Sequence, residues 1–324
     1  FGAAAIGMGI GLIHFRLTLY KLGGQAEFAT QPLSPSGRKI SQLSIISCIF
    51  LIGLFTVLIL SGSILIDPIL FAQYIAIAIT VIFVMYYSSL YFLSNLNSNE
   101  KKSLIALFLI CIASTLFWAG FEQAGSSLNL FGRDYTNRVF GGFEIPPSWF
   151  QSANSFFIVI LSPFFAALWI NLGKRLVKPN YGIKCAIGLI IMASGFIVMF
   201  FAAQAASRGL LVAPYWLVAT YFLHTVGELC LSPVALSAVS RLSPKRFSGQ
   251  LMGVFTLTYS IGSVVAGLVA GNFNPENIEQ MPNLYLQISL FSILGGIIIA
   301  ALATLTRKWE SLLEEEAELL QTKT

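Results

Sequence analysis

Glu122 and Glu228 each stand at the end of an apolar run, Leu104 to Phe121 and Leu210 to Gly227, that contains no Asp, Glu, Lys or Arg. A carboxyl group placed in hydrocarbon costs on the order of 3 kcal/mol to insert. An acid at that depth is therefore read as a functional group, and one that meets water and hydrocarbon in turn can take up and release a proton. The neighbours of both acids are polar at helical spacing. Trp118, Glu122, Ser126 and Asn129 lie four, four and three residues apart. On a continuous helix that is one face, with a carboxylate between an aromatic ring and two hydrogen-bonding groups. Tyr221, His224, Thr225, Glu228 and Ser232 repeat the pattern in a second run, and Gln151 and Asn154 open a third. Neither acid is followed by a turn signal, so the first helix is expected to reach about Leu130 and the second about Val239.

Pro233 has no N–H to bond the carbonyl of Leu229, which predicts a kink beside Glu228; Ser162-Pro163 repeats the device in the third run. Polar faces and kinks at membrane depth together predict a water-accessible cavity. Carboxylates and amide carbonyls suit protons and ammonium groups, whereas an anionic ligand wants Arg or Lys. No basic residue falls inside any of the apolar runs. His224 and Glu228 at i, i+4 offer two metal ligands, but no third is evident, and no metal or cofactor is expected beyond protons.

The elements that must hold these residues are membrane spans. Of 324 residues, 56 % are hydrophobic and 10 % charged, against about 25 % charged in a soluble domain. Eight apolar runs reach the length that crosses a hydrocarbon core: Leu43 to Ile66, Ile69 to Leu93, Leu104 to Phe121, Trp149 to Leu172, Cys185 to Ser207, Leu210 to Gly227, Gly249 to Gly271 and Leu284 to Thr306. Counting connectors alternately puts Arg133, Arg138 and Arg208 on one side and the other sixteen of the 19 Lys and Arg on the opposite side. By the positive-inside rule the richer side is cytoplasmic, and so is the acidic tail with Glu314, Glu315, Glu316 and Glu318. Spread over many connectors, the basic residues form no nucleic-acid patch.

Other signals are bland. Cys48, Cys111, Cys185 and Cys230 stand singly in apolar runs and read as small buried hydrophobes. Gly7, Gly9 and Gly11 lie in an apolar segment with no strand before it, so they read as a helix-packing stripe and not as a dinucleotide loop. Phe1 to Ile13 is too short to span and reads as the tail of a helix that begins earlier. No HExxH, GxSxG or P-loop occurs, so hydrolysis or nucleotide-driven pumping lacks its residues and no enzyme is expected.

The stretch Phe117-Trp118-Ala119-Gly120-Phe121-Glu122-Gln123 and its continuation to Phe131 resembles the FEQ signature on helix seven of the proton-dependent oligopeptide transporters, a branch of the major facilitator superfamily. Ile145-Pro146-Pro147-Ser148-Trp149-Phe150-Gln151 through Asn154 is similar to the start of that family's helix eight, and His224 through Ser237 to its helix ten. The resemblance implies a role for Glu122 in proton coupling and outer gating. For Asn154 it implies contact with a peptide amino terminus, and for Glu228 both that contact and the inner gate. Trp118, Ser126, Gln151, Tyr221 and Phe255 are expected to line the peptide site. Ser155 stands where the family commonly has Pro, and Phe255 where many members have Trp.

The resulting expectation is an all-α membrane protein of the bacterial type, the carboxy-terminal half of a proton-coupled importer of di- and tripeptides. Residues 1–42 would be the end of helix six and a cytoplasmic linker, 43–95 two extra lateral helices, 96–306 the six-helix bundle and 307–324 a cytoplasmic tail. The partners would be peptides, protons, the bilayer and an amino-terminal six-helix half that this chain lacks, in the cell inner membrane. A relative carrying another small solute such as an amino acid, or a non-transporting membrane sensor or scaffold, is the alternative.

Overall fold

Four long helices start on residues that return a side-chain oxygen to the first turn, where backbone N–H groups have no helical partner. Ser34 accepts from Gly37 N, and Asp67 from Ile69 N and Leu70 N. Asn97 and Glu100 form a reciprocal box at 2.8 and 2.9 Å, and Asn180 accepts from Ile183 N at 2.9 Å. The computed structural model describes residues 2–22, 34–63, 67–173, 180–271 and 278–321. Of the basic residues counted as cytoplasmic, Lys174, Arg175, Lys178 and Lys323 fall outside them.

Contacts divide the chain into Phe1–Ile66 and Asp67–Thr324. The first unit holds α1 (Gly2–Thr18), a 3₁₀ turn Leu19–Leu22 and α2 (Pro35–Leu60). Gly7, Gly9 and Gly11 are helical, as expected. Cys48, on α2, is exposed, while Cys111, Cys185 and Cys230 are buried; α2 buries none of its residues, so its cysteine has no core to enter.

The second unit holds α3 (Pro68–Leu93), α4 (Ser98–Phe121), α5 (Ser127–Asp134), α6 (Ser152–Gly173), α7 (Tyr181–Ala206), α8 (Tyr215–Leu242), α9 (Ser248–Gly271) and α10 (Met281–Gln321). With short 3₁₀ turns joined to their helices, eight segments of the described chain are long and apolar enough to cross a membrane. They correspond to the eight apolar runs of the sequence. One begins later than expected: Leu210 to Pro214 is not α-helical, because Gly209 turns the chain at φ +85° and Val212 bonds across to Tyr135 and Asn137.

The boundary between the units falls between the two helices expected to form a lateral pair. α3 packs with the bundle, where Phe83 and Tyr87 meet Phe108 of α4 and Tyr86 Oη donates to Gln250 Oε1 of α9 at 2.8 Å. Arg246 closes the far end of α3 by donating to the carbonyls of Ser94 and Asn95 at 3.0 and 3.1 Å.

Small residues let the bundle's helices approach closely, which is how helices associate where lipid is as apolar as Leu. A Cβ on Gly227 of α8 would sit 2.6 Å from the Gly188 carbonyl of α7, and one on Gly262 of α9 would sit 2.6 Å from Trp118 Cβ of α4. Polar side chains add interhelical bonds: Ser289 Oγ of α10 donates to Ala193 O of α7 at 2.9 Å, and Ser114 of α4 pairs with Thr258 of α9 at 2.9 Å. Between α5 and α6, Gly141 and Gly142 turn a two-stranded hairpin, β1 (Val139–Phe140) and β2 (Phe143–Glu144), with φ +58° and +85°.

Candidate functional site

The helix carrying Trp118 does not continue through the acid. α4 ends at Phe121, Glu122–Gly125 forms a 3₁₀ turn, Ser126 adopts φ −123° ψ −98°, and α5 resumes at Ser127. A 3₁₀ turn advances 120° per residue and Ser126 leaves helical geometry, so Trp118, Glu122, Ser126 and Asn129 do not share the single face their spacing predicts. Gly125, read as part of a continuous helix, is the residue that eases the break.

The break places each residue differently. Glu122 begins the turn and is half-buried, and its side chain makes no hydrogen bond among the described residues. Gln123 behind it is fully buried, donating to Ala266 O of α9 at 3.1 Å and accepting from Ser126 Oγ and Ser127 Oγ. Ser126 is thus committed to holding the turn. Gln151, in the 3₁₀ turn Pro147–Gln151 that leads into α6, donates to Ala124 O at 3.1 Å.

The first turn of α6 brings Asn154 to α8. Its Nδ2 donates to Glu228 Oε2 at 3.1 Å and to Thr225 Oγ1 at 3.0 Å, and Thr225 is itself fixed by donating to Tyr221 O at 2.7 Å. This leaves Asn154 Oδ1 as an acceptor and Glu228 with a second oxygen, both half-buried. An amide carbonyl beside a carboxylate is an arrangement that accepts an ammonium group.

α8 runs from Tyr215 to Leu242 with Pro233 inside it. The Leu229 carbonyl, which Pro233 cannot bond, accepts from Trp169 Nε1 of α6 at 3.3 Å. Lys184 lies 5.1 Å over that indole. α6 is therefore tied to α8 twice, on either side of Glu228 along the α8 backbone.

Two expected lining residues sit deeper than the site. Tyr221 is 2 % exposed and Phe255 0 % exposed. Phe255 faces Tyr259, whose ring meets Trp118 edge-on at 4.6 Å between centroids, so it is Tyr259 that stands beside Trp118. The face read from Tyr221 to Ser232 also turns inward at His224. That ring is fully buried, 4.8 Å from Phe196, and neither of its nitrogens has a hydrogen-bond partner among the described residues. Among the described residues no three His, Cys, Asp or Glu converge on a metal position.

Sequence reasoning missed Gln123, Tyr259 and Trp169. Gln123 was visible as an amide next to an intramembrane acid, and Tyr259 as an aromatic one turn past Phe255. The orphaned Leu229 carbonyl signalled a missing donor, but nothing in the spacing pointed to Trp169.

The peptide transporter YePEPT of Yersinia enterocolitica is 31 % identical over 315 residues, which is 95 % of this chain and 62 % of that protein. The uncharacterized transporter YclF of Bacillus subtilis is 35 % identical over 317 residues, 97 % of this chain and 62 % of that one. The chain thus spans about three-fifths of the length of these relatives. A solved structure of a peptide transporter POT in complex with alafosfalin has a TM-score of 0.76 at 32 % identity, covering 95 % of this chain and 61 % of its own. A family model described as the POT family (PTR2) matches residues 1–284, and the chain belongs to that family.

Proposed function

We propose that this chain forms the carboxy-terminal part of a proton-coupled symporter that carries di- and tripeptides by alternating access. The observation that carries the reading is the Asn154–Glu228 pair, an amide and a carboxylate 3.1 Å apart within spans, with no Lys or Arg beside them in those runs. It offers a peptide ammonium group two acceptors, and Glu122, without a partner among the described residues, is the proton carrier. The peptide carboxylate then needs a cationic pole from elsewhere. An amino-terminal six-helix half supplies it in this reading, and α6, which buries none of its residues, offers that half or the lipid an open face.

The protein works in the cytoplasmic membrane with its C-terminus inside, on the strength of the charge asymmetry of its connectors. One proton moving down a potential of 100 mV supplies about 2.3 kcal/mol, enough for roughly fifty-fold accumulation of a neutral peptide. The cycle moves protons on and off carboxylates and breaks no bond of the peptide, and protons are the only coupling species it uses.

The test is uptake of a labelled dipeptide by the full-length protein in liposomes. Accumulation above the outside concentration is expected only with an inward proton gradient. Binding and accumulation of a single amino acid in preference to any dipeptide would replace the peptide reading.

A further inference from the structure

The break after Phe121 interrupts the helical hydrogen-bond ladder, and three separate elements bind the turn and its exit through side chains. On one side the turn is bound to the packed bundle. Gln123 holds it to Ala266 O of α9, and Tyr285 Oη of α10 donates to Ser127 O at 3.1 Å. On the other side Ala124 O is held by Gln151 Nε2 at 3.1 Å. Gln151 ends the lead-in to α6, a helix with no buried residue of its own. Three residues later Asn154 grips Glu228 and Thr225. Glu122 therefore opens the turn that Gln151 holds, and Gln151 opens the segment whose Asn154 holds Glu228.

We propose that Gln151 is a positioning residue that couples proton binding at Glu122 to peptide binding at Asn154 and Glu228, acting through its bond to Ala124 O. This rests on the symporter reading above. It gives Gln151 a mechanical task in place of the ligand contact expected from the sequence. A change of charge at Glu122 alters the turn Glu122–Gly125. Because α9 and α10 hold the far side of that turn, its displacement passes through the Gln151 bond to α6. Asn154 then shifts against Glu228, changing the acceptors offered to an ammonium group. The other titratable groups near the turn are His224 of α8, whose ring is 6.1 Å from Phe121, Tyr259 of α9, which faces Trp118, and Tyr285 of α10. On α5, Arg133 and Asp134 pair with each other at 2.7 Å, and α6 contributes only amides at this end.

Coupling of this kind is reciprocal and appears as a dependence of one ligand's affinity on the other. The experiment measures dipeptide affinity of the full-length protein in liposomes at pH 6 and pH 8, for the parent and for Gln151→Met, which keeps the length and loses the donor. The parent is expected to change affinity about fivefold or more between the two values. Gln151→Met is expected to hold a constant affinity within about twofold, to retain counterflow exchange, and to lose gradient-driven accumulation. An affinity that falls at both pH values by the same factor, with the parent's pH dependence intact, would make Gln151 a peptide ligand and overturn the proposal. If Gln151→Met does not fold, Gln151→Leu gives the same comparison between pH 6 and pH 8, because it too lacks the donor to Ala124 O and adds no titratable group. A parent that binds no dipeptide at either pH overturns the symporter reading itself, and this inference with it.

Discussion

At the level of single residues, two carboxylates with different surroundings divide the work in the proposed cycle. Glu228 is held by Asn154 while Glu122 has no protein partner among the described residues. Glu122→Gln is expected to abolish accumulation driven by a proton gradient and to leave counterflow exchange partly intact, because exchange needs no net proton movement. Full accumulation by that variant, read from labelled dipeptide uptake, would remove Glu122 from the proton path. Both acids were legible in the sequence because a charge inside an apolar run is costly wherever it falls. Their hydrogen bonds were not, since a donor on another helix leaves no trace in local spacing. Tyr221 shows the same limit: periodicity names the face of a helix, and the packing of its neighbours decides whether that face meets a cavity or a core. Glycine contacts are equally specific. A Cβ at Gly227 would meet the Gly188 carbonyl at 2.6 Å and Met192 N at 3.1 Å, whereas one at Gly253 would meet nothing within 4 Å. Gly227→Ala is expected to destabilise the bundle by about 1–3 kcal/mol and Gly253→Ala to cause no loss, as thermal unfolding in detergent would show.

At the level of elements, the helices were legible and their interruptions only half so. Asp67-Pro68 and Asn97 announce the starts of α3 and α4 by capping chemistry that acts within one turn. The break at Glu122–Gly125 carries just one weak local signal, Gly125, and is held open by Gln123, Gln151 and Tyr285, two of which are distant in the chain. α8 is the converse case. Pro233 announces a defect, and the structure fills it with the indole of Trp169. Trp169→Phe is expected to cost about 0.5–1.5 kcal/mol, the net worth of a hydrogen bond. In a Pro233→Ala background the cost should shrink, because residue 233 then donates to Leu229 O itself. A double-mutant cycle of unfolding measurements reads the difference; equal costs in both backgrounds would show that Trp169 acts by packing alone.

At the level of the whole molecule, eight spans and membrane residence followed from composition and length. Within the unit Asp67–Thr324, α3 buries Phe83, Tyr87 and Leu90, a packing face that its apolar run does not announce. If α3 travels with the bundle, joining Tyr86→Cys to Gln250→Cys with a cleavable bifunctional thiol reagent long enough to replace the two lost side chains, in a background free of other cysteines, should leave dipeptide uptake unchanged. Loss of uptake on cross-linking and its return on cleavage would show that α3 and α9 must slide. The claim on which the functional account turns is that Glu228 faces the ammonium group of the peptide, and its most direct test pairs a variant with a modified ligand. A charge-assisted hydrogen bond in a desolvated site is worth about 1.5–3 kcal/mol, so Glu228→Gln should weaken binding of a free-amino dipeptide roughly ten- to a hundred-fold. An N-acetylated dipeptide, which has no such charge, should bind the parent poorly and lose little more in the variant. Equal losses for the two ligands would contradict the account and assign Glu228 to shaping the site through Asn154, not to contacting the amino terminus.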